Sequence, residues 1–270
     1  MLSDITLGQF YPGSSFVHKL DPRTKILATI VFIVAVFMAV DAAAYWLLTA
    51  FIMGVILLSR LPVMLVLKSL KPLWVIILFT MLIHVLTGQG EPLWSWHSLT
   101  ITREGIAMGV KMSLRLALLL MMSSVLTLTT SPIVLTDGIE SLLSPFKKIG
   151  VPAHELAMMM TIALRFIPTL LEETDKIMKA QMARGADFGS GNIVAKAKGM
   201  LPILIPLFIS AFRRADELAI AMEARCYRGG EGRTRFHELV YGNRDIMAGG
   251  GMAVLLVVLA VLKWGGVCSM

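Results

Sequence analysis

The sequence predicts an all-α polytopic membrane protein, and three observations carry that prediction. Of its 270 residues 56% are hydrophobic, where a soluble domain runs about 45–50%. The excess sits in long uncharged runs, the pattern of membrane-spanning helices. The basic residues are concentrated between those runs, as in the cytoplasmic loops of membrane proteins. A net charge of +7 therefore needs no nucleic-acid partner.

Five segments qualify as spans: residues 26–40, 42–58, 72–86, 106–129 and 247–262. Backbone groups in lipid must be satisfied within the segment, so each is a helix. Several are shorter than the roughly 20 residues of a perpendicular span, so their ends extend into the flanks. The first two form a hairpin around Asp41. Asp21-Pro22-Arg23 opens the first helix, with Asp21 as its cap and Pro22 in its first turn. The first apolar run begins only after Lys25, so that run reads as a retained span rather than a signal.

Orientation follows from the basic residues. With the N-terminus inside, all but four of the 25 lysines and arginines lie on the inner side. Arg103 and Lys263 lie outside, and Lys111 and Arg115 occupy the early part of the fourth span. This bias places the N-terminus in the cytoplasm and the C-terminus outside the cell membrane. The loop from Thr87 to Gly105 carries Trp94, Trp96 and His97, which suit an anchor at the membrane–water interface. Lys111 and Arg115 are spaced i, i+4 on one face. Charges inside a span are candidate functional residues, and snorkelling toward the interface explains Lys111 equally well.

Three regions result: 1–129, a membrane region with four spans; 130–245, a cytoplasmic helical domain inserted before the last span; and 246–270, a C-terminal transmembrane helix. In the middle region the apolar runs 158–171 and 200–212 are interrupted by Arg165, Pro168, Pro202 and Pro206. Runs of 10–14 apolar residues read as buried or interfacial helices, so long amphipathic helices under the bilayer are expected.

A short repeat lies in this region. Ala180-Gln181-Met182-Ala183-Arg184 matches Ala221-Met222-Glu223-Ala224-Arg225 as A-x-x-A-R. Each copy follows acidic residues: Glu172, Glu173 and Asp175 in one, Asp216 and Glu217 in the other. Each precedes a helix stop, Gly185 or Gly229-Gly230. Each arginine is thus expected near a helix C-terminus, where a cation also favours the dipole by about 0.3–1 kcal/mol. That accounts for the residues without further function. Two helices ending alike would also present two equivalent basic knobs to a two-fold partner, and arginine's rigid fork suits carboxylates and carbonyls.

Enzymatic signatures are missing. There is no G-x-x-x-x-G-K-[ST], and Gly189-Ser190-Gly191 lacks the lysine and preceding strand. His154-Glu155 has no second histidine four residues on, and no serine lies in a G-x-S-x-G elbow. Cys226 and Cys268 are too far apart to define a metal or disulfide framework. No catalytic residue, cofactor site or metal site is assigned to this chain.

Leu20-Asp21-Pro22-Arg23-Thr24-Lys25, Arg165-Phe166-Ile167-Pro168, Ala183-Arg184-Gly185 and Ala224-Arg225-Cys226 together resemble the transmembrane T-component family of energy-coupling factor (ECF) transporters, over nearly the whole chain. Cys226 departs from the glycine or serine usual in that family and leaves the backbone turn after Arg225 open. The resemblance implies a non-catalytic coupling subunit of an ABC-type importer for a vitamin or transition metal. Two ATPase subunits, which hold the ATP and Mg, would dock on Ala183, Arg184, Gly185, Ala224, Arg225 and Cys226. A separate S-component would capture the substrate, and lipid would surround the spans. Met158, Met159, Met160, Met178, Met182, Met200 and Met222 favour a surface that serves several interchangeable S-components; ordinary core filling is the competing account. The alternatives are a permease subunit of an ordinary ABC importer, whose E-A-A…G loop is not found, and a non-transport membrane scaffold.

Overall fold

A computed structural model of the chain describes residues 10–88, 90, 92–96, 99–186, 193–229 and 239–267. The side chains of Trp94 and Trp96, and all of His97, residues 189–191, Gly230 and Cys268, lie outside the described residues. Nine α-helices occur among the described residues: α1 Pro22–Met38, α2 Ala42–Ser59, α3 Val63–Leu70, α4 Trp74–Thr87, α5 Arg103–Thr129, α6 Pro132–Leu143, α7 Ala153–Ala183, α8 Ile193–Ala224 and α9 Asn243–Val267. The chain divides into two compact units, which we describe separately: residues 8–138 with 239–270, and Ile139–Glu238.

Five helical stretches are long and apolar enough to cross a bilayer: Ala42–Ser59, Val63–Thr87, Arg103–Thr129, Ala153–Ala183 and Asn243–Trp264. The number agrees with expectation, but the membership does not. Helix α1 has 17 residues and falls just short, because it stops before the Asp41 turn. Helix α7 qualifies, because five of its charged residues lie from Glu172 onward and only Glu155 and Arg165 interrupt the apolar stretch before it. The expected plain loop after α4 contains an antiparallel hairpin, β1 Pro92–Trp96 and β2 Leu99–Thr102.

In the first unit α1, α2, α3, α5 and α9 share one core. Phe32, Leu48, Ile52, Ile56, Val66 and Leu118 are fully enclosed, and Phe32 stacks on Phe51 at 5.9 Å. Packing of this kind holds membrane helices together, since lipid is as apolar as leucine. Helix α4 lies close against α5 because glycines allow it. A Cβ on Gly88 would stand 2.3 Å from the Cα of Gly105, and one on Gly109 would stand 3.1 Å from the Met81 carbonyl oxygen. Around the rest of α4, Trp74, Ile76, Phe79 and Leu82 are exposed, as a lipid-facing surface requires.

The charged opening of α1 is buried. Asp21 caps the helix as expected, its carboxylate accepting from the Arg23 N–H at 2.9 Å, with Pro22 in the first turn. The Asp21 N–H donates to the Asp245 carboxylate of α9 at 2.9 Å. Lys25 Nζ donates to the carbonyls of His18 and Thr129 and to the Thr130 hydroxyl, at 3.2, 3.0 and 3.2 Å. Arg23 donates to the Leu239 carbonyl at 2.6 Å and lies 4.5 Å over the Tyr241 ring. Its Nε stands 3.3 Å from Asp21 without hydrogen-bond alignment. Buried charges persist only when paired in this way. The Asp21–Lys25 motif therefore ties the start of α1 to the start of α9 and the end of α5.

Arg115 is placed by the same logic. Its guanidinium donates to the Ala39 carbonyl at 3.2 Å and lies 5.5 Å over Phe37. It thus satisfies a carbonyl at the C-terminal end of α1, where cations are favoured.

Candidate functional site: paired arginine turns

Helices α7 and α8 form the second unit's long pair, and their side-chain contacts define its direction. Near the end of α7, Gln181 donates its amide to the Pro202 carbonyl near the start of α8, at 3.3 Å. Midway, Glu173 accepts from Ser210 at 2.8 Å and from Arg214 at 2.7 Å. At the start of α7, His154 lies 3.5 Å from the Tyr227 hydroxyl just past α8. The helices are therefore antiparallel. Between these polar links Ile162, Phe166 and Leu170 share an apolar groove with Leu218, Ala219 and Met222.

The prolines explain one link. Pro206 has no N–H, so the Pro202 carbonyl loses its helical partner. The Gln181 amide supplies the missing donor. His154 accounts for its own place: it pairs with Glu140 at 3.0 Å. Among the described residues no three His, Cys, Asp or Glu side chains gather as a metal site.

Both arginines end helices, as their spacing predicted, and in the same way. At the end of α7 the Gly185 N–H bonds to the Met182 carbonyl and the Ala186 N–H to the Gln181 carbonyl, both at 3.0 Å. At the end of α8 the Cys226 N–H bonds to the Glu223 carbonyl at 2.9 Å and the Tyr227 N–H to the Met222 carbonyl at 3.0 Å. Each is a complete Schellman motif. Arg184 and Arg225 occupy its last half-helical position, and the residue after each is left-handed: Gly185 at φ +88° and Cys226 at φ +56°. Cysteine thus adopts the conformation that glycine adopts at the other turn. Ala183, Arg184, Gly185, Ala224, Arg225 and Cys226 are all exposed. Among the described residues neither guanidinium has a hydrogen-bond or ion-pair partner.

Because the helices are antiparallel, the two turns lie at opposite ends of the pair. At 1.5 Å per residue, the eleven residues of each helix between the Glu173–Arg214 contact and its arginine put the turns about 35 Å apart. The arrangement can present two equivalent, widely spaced cations in one rigid piece. Sequence spacing revealed the turns but not this separation. Of the residues between them that cross-link the pair, the sequence singles out only Glu173, as one of the acidic residues before the first repeat; Ser210 and Arg214 carry no local signal.

Apolar spans and a helix pair ended by matched arginines define the class: a helical multi-pass membrane protein that displays two basic turns. The profile of the cobalt transport protein family (CbiQ) matches residues 13–237. An energy-coupling factor transporter transmembrane protein EcfT of Acidaminococcus fermentans is 70% identical over 265 residues, covering 98% of this chain and 99% of its own. Proteins of the same name from Clostridium kluyveri and Bacillus subtilis are 55% identical over 270 residues (98% of this chain, 100% of the relative) and 49% identical over 263 (97% and 98%). The chain therefore belongs to the family of energy-coupling factor transporter transmembrane proteins.

Proposed function

We propose that this chain is the coupling subunit of an ECF-type importer. Two ATPase subunits dock beneath the membrane, one on the turn of Ala183, Arg184 and Gly185, the other on the turn of Ala224, Arg225 and Cys226. They hold the ATP and Mg. An S-component captures the vitamin or metal ion, and movement of α7 and α8 reorients it to release its cargo inside. The N-terminus and both turns face the cytoplasm, and the C-terminus lies outside.

The observation that carries this reading is the pair of matching arginine-ended turns at opposite ends of one antiparallel helix pair. A pair of similar ATPases related by a two-fold axis fits two equivalent knobs. Arginine offers such partners a rigid fork of donors.

The test is co-purification in detergent of the wild type and the Arg184→Glu/Arg225→Glu variant with candidate ATPase subunits. The wild type is expected to retain two ATPases and the folded variant to lose them. Equal retention would move the interface elsewhere, and no retention by the wild type would remove the coupling role.

Exposed Met159, Met160, Met182 and Met200 favour a surface that accepts several S-components in turn, since methionine adapts to different partners. Pull-down from native membranes should then yield more than one S-component; a single one would leave the methionines as ordinary packing.

A further inference from the structure

An offset of 41 residues carries Arg184 onto Arg225, and the same offset carries Glu173 onto Arg214. These two equivalent positions meet each other across the pair: Arg214 donates to one carboxylate oxygen of Glu173 at 2.7 Å. The Ser210 hydroxyl donates to the other at 2.8 Å. In a two-fold arrangement, equivalent residues meet only at the axis. The ion pair therefore marks the centre. Eleven residues, about 16 Å of helix, separate it from each arginine turn.

Identical charges at such a position would repel at close range. Opposite charges replace the repulsion with a directed bond, and the fork of Arg214 fixes one register. Both side chains are only partly exposed, at 36% and 27%, so solvent screens the pair incompletely. The apolar contacts around it, through Phe166, Leu170 and Leu218, are non-directional and set no register of their own. Prolines 168, 202 and 206 interrupt the helical ladders nearby.

We propose that Glu173, with Arg214 and Ser210, is the pivot of the α7–α8 pair: it fixes register and crossing, so that displacement of one arginine turn is transmitted to the other. Glu173 is a positioning residue in this scheme and touches no ATPase. The geometry stands without the coupling reading; its consequence for transport rests on that reading.

Two measurements separate the two. For the chain alone in detergent, with Cys268→Ser, spin labels on Cys226 and on an Ala186→Cys site report the distance between the turns. Wild type should give one narrow peak near 35 Å, and Glu173→Arg should broaden or move it by at least about 5 Å, one helical turn. The swap Glu173→Arg/Arg214→Glu should restore the narrow peak, and Glu173→Gln, which keeps the shape and loses the charge, should fall between. An unchanged distribution in Glu173→Arg, or a swap that restores nothing, overturns the pivot.

In the full complex with ATPases and S-component, Glu173→Arg should keep both ATPases bound and hydrolysing. Uptake per ATP should fall about tenfold, the size of an ordinary coupling effect, and recover in the swap. Unchanged uptake per ATP overturns transmission through the pivot. Failure of the wild type to hold ATPases overturns the coupling reading instead, and the spin-label distances still decide the pivot.

Discussion

The backbone N–H of Asp21 donates to the carboxylate of Asp245 at 2.9 Å, across 224 residues of sequence. The other oxygen of Asp245 accepts from the Gly242 N–H at 2.8 Å. One buried carboxylate thus satisfies a donor in the first turn of α1 and a donor just before α9. Together Asp245 and Asp21 balance two cations: Lys25, which both carboxylates attract, and Arg23, 3.3 Å from Asp21. The first and last helices of the membrane unit are joined at one point.

Asp245→Ala removes both acceptors, leaving the buried Asp21 N–H unpaired and the exposed Gly242 N–H to water. The expected cost is about 1–3 kcal/mol, that of one stranded buried group. Thermal unfolding in detergent, followed by tryptophan fluorescence, should show a lowered midpoint. Asp245→Asn keeps one acceptor and should lose about half as much. Equal midpoints for all three proteins would remove the clamp from the account of stability.

Cys226 holds φ +56°, where a side chain costs about 1–2 kcal/mol. Cys226→Gly should relieve most of that and tighten the turn. Hydrogen exchange should slow at the Cys226 and Tyr227 amides, which close the turn. Cys226→Ile, β-branched and bulky, should speed it. Faster exchange in the glycine variant would contradict the left-handed turn.

The distance between the arginine turns predicts that their binding energies add, even though motion passes from one to the other through the pivot. Sites well beyond 10 Å apart with no shared partner usually add within about 0.3–0.5 kcal/mol. Arg184→Glu and Arg225→Glu should each weaken ATPase retention. Their fold-losses should multiply in the double variant to within about twofold. A double variant no worse than either single one would place both arginines on one shared contact.

The approach of α4 to α5 gives a packing prediction. Gly105→Val would drive a side chain against the His84 carbonyl and the Thr102 hydroxyl, each 2.8 Å from its Cβ. Overpacking of this kind costs about 1–3 kcal/mol, and backbone neighbours yield less than side chains. The thermal midpoint should fall, whereas Gly54→Ala, with nothing within 4 Å, should leave it unchanged or raise it slightly. Equal midpoints for Gly105→Val and wild type would mean that α4 and α5 are not held this close.

Arg115 separates two roles for a charge inside a span. Its bond to the Ala39 carbonyl predicts that Arg115→Leu lowers stability by about 1–3 kcal/mol, the cost of an unpaired carbonyl. ATPase retention should be unchanged. Loss of retention at unchanged stability would make Arg115 a functional charge instead.

Local chemistry made much of this protein legible from sequence. Long apolar runs announced membrane helices, since lipid leaves the backbone no other way to satisfy its polar groups. Asp21-Pro22 announced the start of α1, and the A-x-x-A-R repeats before Gly185 and Gly229-Gly230 announced two helix ends, because caps depend on a few neighbouring residues; the second helix in fact closes earlier, at Cys226. The hairpin after α4 escaped notice, as did the span-like length of α7, since neither has a strong local signature. Only the tertiary structure decided what joins distant segments: Asp21 with Asp245, Arg115 with Ala39, and Glu173 with Arg214. The antiparallel pairing that sets the two arginine turns at opposite ends belongs to the same class. Such relations depend on register between helices, which many sequence separations satisfy equally well, and only the packed side chains select one.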